Sequence, residues 1–103
     1  MAMTPEGKVK KEIKKILDSY GVLYTMPFSA GYSTSGVSDF LCCYKGHFIS
    51  IEAKAGKGKP TELQTTWINK VQTAGGHAMV VNESRYDDLR FLLDHLRKQD
   101  GII

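Results

Sequence analysis

The sequence predicts an α/β fold, a central mixed sheet flanked by helices in the element order αβββαβα. Three observations predict it. Apolar residues recur at helical spacing in three separate stretches, at the start, in the second half and at the end of the chain. Three short apolar runs bounded by glycine lie between the first two stretches, and a fourth, His77 to Val81, separates the last two. Neither an internal repeat nor an interdomain linker interrupts the chain, so residues 1–103 are expected to form one domain.

The first helix starts at Thr4-Pro5-Glu6, which offers a hydroxyl N-cap, proline at the first helical position and an acid in the first turn. Val9, Ile13, Ile16, Leu17 and Tyr20 form its apolar stripe, and Gly21 ends it. Lys8, Lys10, Lys11, Lys14 and Lys15 spread over the rest of the circumference, as a solvated face or a phosphate-facing one. Val22 to Phe28 reads as a strand, followed by a polar, glycine-bounded loop, Ser29 to Gly36, able to close over a ligand. Strands over Val37 to Tyr44 and His47 to Lys54 meet at Lys45-Gly46, and the basic segment Ala55 to Pro60 follows. Thr61 opens a second helix with Leu63, Trp67, Ile68 and Val71 on its apolar side, ending at Gly75-Gly76. Ser84 begins the last helix, in which Leu89, Leu92, Leu93 and Leu96 repeat at helical spacing.

With 42% hydrophobic and 24% charged residues, the chain can bury one modest core and has little room for unpaired acids inside it. No run approaches the roughly 20 apolar residues that span a bilayer, and no apolar segment or cleavage site follows the lysine-rich N-terminus. A soluble, cytoplasmic protein without a membrane partner is expected. The net charge of +3 permits nucleic-acid binding without requiring it. Cys42 and Cys43, adjacent in a strand, point to opposite faces and read as reduced, packed thiols. Together with His47, His77 and His95 they lack zinc-ligand spacing.

The chemistry-bearing stretch is Ser38 to Lys54. If Lys45-Gly46 is the hairpin turn, Tyr44 faces His47, and the same count sets Asp39 opposite Glu52. Opposed residues hold their Cβ atoms roughly 4.5–5.5 Å apart, close enough for both carboxylates to bind one ion. Ser50, Glu52 and Lys54 share one face, while Ile49, Ile51 and Ala53 share the other and look like core. Two facing carboxylates repel, or one keeps its proton, unless a cation lies between them, and such oxygen ligands suit Mg²⁺ or Mn²⁺. A hard metal beside a lysine is equipment for phosphodiester hydrolysis. Spacing alone also allows an exposed sheet face on which Lys54 and Glu52 make cross-strand ion pairs. The segment Gly56 to Thr61 is no nucleotide loop, because Pro60 stands where serine or threonine is needed.

The pattern Asp39-x12-Glu52-Ala53-Lys54 resembles the D…ExK core of the PD-(D/E)xK nucleases. More specifically, Gly36-Val37-Ser38-Asp39, Ile51-Glu52-Ala53-Lys54 and Gly58-Lys59-Pro60-Thr61-Glu62-Leu63-Gln64 resemble the VRR-NUC family. The similarity takes in Glu6 on the first helix and the Gly75 to Val81 segment, so it covers nearly the whole chain in order. It implies a restriction-endonuclease-like αβββαβα core and an endonuclease that hydrolyses DNA phosphodiesters with Mg²⁺ or Mn²⁺. By the same resemblance Asp39, Glu52 and the Ala53 main-chain carbonyl hold the metal and Lys54 is the catalytic lysine. Glu6 matches the family's helix acid better than Glu12, although a first-turn acid also serves the helix dipole. Gln64 matches a glutamine beside the active site, while Thr61-x-x-Gln64 is equally a capping box. Lys57 and Lys59 contact DNA phosphates or merely solubilise, and Trp67 reads as core or interface rather than a base-stacking platform.

Minimal members of that family resemble Holliday-junction resolvases, which implies a homodimer acting on branched DNA such as that of a phage; the apolar last helix and Trp67 offer a surface for the dimer. Two alternatives stay open. One is a duplex or nicking endonuclease of the same fold, the other an inactive nuclease-like DNA-binding module.

Overall fold

The computed structural model describes residues 3–28 and 35–99. Most of the expected loop from Ser29 to Gly36 lies outside the described residues. Helix α1 (Pro5–Tyr20) starts as its sequence dictates, with Thr4 Oγ1 accepting from the Gly7 N–H at 3.0 Å, and ends at Gly21 in the left-handed conformation. Strands β1 (Leu23–Thr25), β2 (Phe40–Tyr44) and β3 (His47–Ala53) form an antiparallel meander. Helix α2 (Glu62–Thr73) then crosses over to β4 (His77–Val81), which pairs with β3 in parallel, and α3 (Tyr86–Lys98) closes the chain. The sheet is mixed, in the order β1-β2-β3-β4, with helices on both faces. No helix among the described residues is long and apolar enough to cross a membrane.

Lys45 and Gly46 both carry positive φ, 52° and 82°, so the two-residue turn is of the twisted kind that suits a hairpin. That turn sets the register Tyr44↔His47 through Phe40↔Ile51, as counted from the sequence. Pleating sends Phe40, Cys42, Tyr44, Ile49, Ile51 and Ala53 to one face. There they meet Val9, Ile13, Ile16 and Leu17 of α1 and Leu89, Leu93 and Leu96 of α3, all buried. Tyr20 Oη donates to Asp94 Oδ1 at 3.0 Å, tying the two helices together. Helix α2 covers the opposite face over β3, where Trp67 Nε1 donates to Ser50 Oγ at 2.9 Å.

Several boundaries differ from the sequence reading. β1 stops at Thr25 rather than Phe28, since Pro27 offers no N–H to continue a ladder. β2 begins at Phe40 rather than Val37, because the Asp39 side chain takes the Ala53 N–H. Asn82 Oδ1 accepts from Ser84 N–H and Oγ, making a turn that delays α3 to Tyr86. Leu63, expected on the apolar side of α2, is 58% exposed, because α2 covers only part of its face of the sheet. Only Cys42 of the two thiols is packed. Cys43 points to the uncovered part of that face and is exposed.

Candidate active site

Asp39 lies one residue before β2, where the hairpin register would set it opposite Glu52. Its Oδ2 accepts from the Ala53 N–H at 2.8 Å, so the carboxylate acts as the last rung of the ladder and is held at the end of β3. Glu52 is 3% exposed, which rules out the open, ion-paired sheet face that spacing alone allowed. Its Oε1 accepts from Gln64 Nε2 at 3.0 Å and lies 3.9 Å from Lys54 Nζ. Its Oε2 is buried without a hydrogen-bond partner among the described residues. The backbone of Lys54 extends the pairing past β3 by donating its N–H to Val81 O at 3.0 Å.

Burial is the largest cause pushing the Glu52 carboxyl up, to about 8, and the Asp39 carboxylate close beside it adds to the rise. Lys54 opposes the rise, and Glu6 adds to it. An unpartnered buried carboxylate oxygen is costly, and two remedies exist: a proton shared with Asp39, or a cation between the acids. A divalent oxygen-seeking ion therefore fits these two residues. Among the described residues no set of three His, Cys, Asp or Glu is gathered to hold a metal.

The two candidate helix acids diverge. Glu6 lies toward the pair, but its Oε2 is 3.7 Å from Lys10 Nζ. Glu12 turns instead to Lys15 and to Arg90 of α3, each at 3.9 Å. Lys10 itself was not singled out by sequence reasoning, yet its Nζ is 3.5 Å from Asp39 Oδ1. A signal for it exists. Lys10 sits one turn after Glu6 and beside the Val9–Ile13 stripe, whereas Lys8, Lys11, Lys14 and Lys15 are exposed on the outer side of α1.

Gln64 makes the expected capping box and turns its amide to Glu52 rather than to Lys54. Its Oε1 accepts from the Thr61 N–H at 2.9 Å while Thr61 Oγ1 accepts from the Gln64 N–H at 3.2 Å, completing the capping box. The amide nitrogen is left to point at Glu52. No family model and no curated protein matches the sequence. A solved structure described as a VRR_NUC domain matches 94% of this chain and 95% of its own length, with a TM-score of 0.66 and 22% sequence identity.

The chain has the fold of a VRR_NUC domain.

In this VRR_NUC fold the hairpin and the start of α2 are locked together at Gly36. With φ at 80°, its Cα faces the Leu63 carbonyl so closely that no Cβ would fit. The segment leading to Asp39 is thereby held against the helix that carries Gln64. Lys57 and Lys59 are exposed on the loop after Lys54. That loop is pinned by the Gly56 N–H donating to Glu83 Oε1 at 2.9 Å and by the Gly58 N–H donating to Ala55 O at 3.0 Å. Glu83 and Asn82, which donates to Gly56 O at 3.3 Å, were not anticipated, because a loop-to-loop clamp leaves no periodic trace. Trp67 is half-buried and committed to Ser50 by its indole N–H.

Proposed function

We propose that this protein is a metal-dependent endonuclease hydrolysing DNA phosphodiesters. The observation that carries the reading is the buried Glu52 carboxylate, with one oxygen unpartnered, Asp39 opposite it and Lys54 beside it, at one end of the central β2–β3 pair. The fold gains nothing from burying that charge, and similarity to a VRR_NUC domain supports nuclease chemistry there. Asp39 and Glu52 would hold Mg²⁺ or Mn²⁺, with the Ala53 main-chain carbonyl as a further oxygen donor. Such an ion supplies neutralisation of the scissile phosphate and acidifies the attacking water. Lys54 directs a positive charge at the phosphate oxygens where negative charge develops. Gln64 orients the Glu52 carboxylate from a helix start, and Lys57 and Lys59 meet the DNA backbone without reading sequence.

For substrate we infer branched DNA, cut inside the cell by a homodimer in the manner of a junction resolvase, as for a phage protein acting in its host. The leucines of α3 are committed to the core, but Phe91 on its outer side is exposed, as are Leu23 and Phe48 on the uncovered sheet face, so both surfaces offer apolar side chains to a second copy. The test compares cleavage of a four-way junction, a flap and a linear duplex with Mg²⁺ or Mn²⁺. The wild type is expected to cut the junction best. Glu52→Ala and Lys54→Ala should fold and lose cutting, with DNA binding retained in Lys54→Ala. Equal cutting of all three substrates would favour a duplex or nicking enzyme. Binding without cleavage would favour an inactive DNA-binding module, and metal-dependent cutting by purified Glu52→Ala would overturn the site.

A further inference from the structure

The two acids do not face only Lys54. Asp39 divides its oxygens between two partners, Oδ2 to the Ala53 N–H at 2.8 Å and Oδ1 to Lys10 Nζ at 3.5 Å. The first bond belongs to the open end of the β2–β3 pair and is fixed by the hairpin. The second comes from a flexible four-carbon stem on another element. Lys10 also has an alternative anion, Glu6 Oε2 at 3.7 Å, one helical turn earlier. Its side chain is about one-third exposed (32%), so the ammonium has access to solvent as well as to both carboxylates. The other lysines of α1 point away, which makes Lys10 the member of that basic face turned into the site.

We propose that Lys10 is a resident counter-cation: it occupies Asp39 Oδ1 in the metal-free protein and gives up that oxygen to an incoming divalent ion. Lys10 thereby sets how tightly the site takes metal. The physical case is charge and place. Glu6, Asp39 and Glu52 carry three potential negative charges near two lysines, Lys10 and Lys54. A divalent ion added to this set meets a competing cation on one of its two side-chain ligands. Glu6 supplies the position to which the displaced ammonium retires, so the move costs one ion pair and keeps the other. The inference rests on reading Asp39 and Glu52 as the metal-holding residues, and its test separates the two claims.

Mn²⁺ binding is measured by titration calorimetry on the wild type, Lys10→Met, Lys10→Arg and Glu52→Gln, with thermal unfolding in chelator and in saturating Mn²⁺. Lys10→Met keeps the apolar stem and removes the charge. It should bind Mn²⁺ about three- to tenfold more tightly, the size expected for a partly exposed pair. Its Tm in chelator should fall below the wild type's, and its rise on adding Mn²⁺ should be larger. Lys10→Arg, which keeps the charge, should bind within about twofold of the wild type. If Glu52→Gln abolishes binding while Lys10→Met binds no tighter than the wild type, the Lys10 proposal is wrong and the metal site stands. If no form binds Mn²⁺, or if Glu52→Gln binds it normally, both claims fail together.

Discussion

Glu52 is the side chain at which folding and chemistry oppose each other most directly. Its folded-state carboxyl is held up near 8, against 4.5 when unperturbed, so between those values the folded chain binds a proton that the unfolded chain has lost. Stability of the metal-free protein should therefore fall as pH rises through that window, by about 1.4 kcal/mol per pH unit at most. Urea denaturation in chelator at a series of pH values checks this. Glu52→Gln should flatten the slope, and saturating Mn²⁺ should do the same in the wild type. The two cysteines make a second residue-scale contrast. Burial pushes the Cys42 thiol up to about 12, whereas Cys43 lies in solvent. An alkylating reagent should modify Cys43 in the native protein and reach Cys42 only on unfolding, as mass spectrometry would count. Gly36→Ala introduces a Cβ at positive φ against the Leu63 carbonyl, and should destabilise by about 2 kcal/mol or more. Calorimetric unfolding would measure that loss.

Among the elements, α2 does most to join structure to site. Its first turn is closed by Thr61 and Gln64, and the same glutamine holds Glu52. Thr61→Ala should cost about 1 kcal/mol, the usual price of an N-cap. Gln64→Ala should cost more, since it also strips a buried carboxylate of its donor, a loss of about 1–3 kcal/mol. Denaturant titration of both single variants and the double variant would separate the cap from the Glu52 contact. The β2–β3 hairpin was legible for a different reason. A two-residue turn leaves no freedom in the count of pairs, so Phe40↔Ile51 followed from Lys45-Gly46. Where β2 begins was not legible, because a side chain from Asp39, not a main-chain group, makes the last bond to β3.

At the scale of the whole molecule, the core is shared by α1, α3 and one face of the sheet, with Leu93 fully buried among them. Leu93→Ala should cost about 2–5 kcal/mol and lower the unfolding midpoint of the whole chain, observable as one coincident transition by circular dichroism and fluorescence. The opposite face is treated unequally. Over β3 it is sealed by α2, which buries Ser50 and Glu52, while over β1 and β2 it leaves Leu23 and Cys43 in solvent. Alternation along β3 correctly grouped Ser50 with Glu52 on one face. It could not tell that this face would be dry, since that depends on where α2 lands.

The sequence by itself determined the element order, the starts of α1 and α2, the apolar stripes of α1 and α3 and the hairpin register. Each rests on caps, turns and periodicity that act within a few residues, so each is written locally. The tertiary structure decided what surrounds the acids. Lys10 reaches Asp39 from 29 positions away in the chain, Gln64 turns its amide toward Glu52, and Trp67 closes over Ser50. The partners in these contacts cannot be counted from local spacing, because each contact exists only once a helix has packed against the sheet.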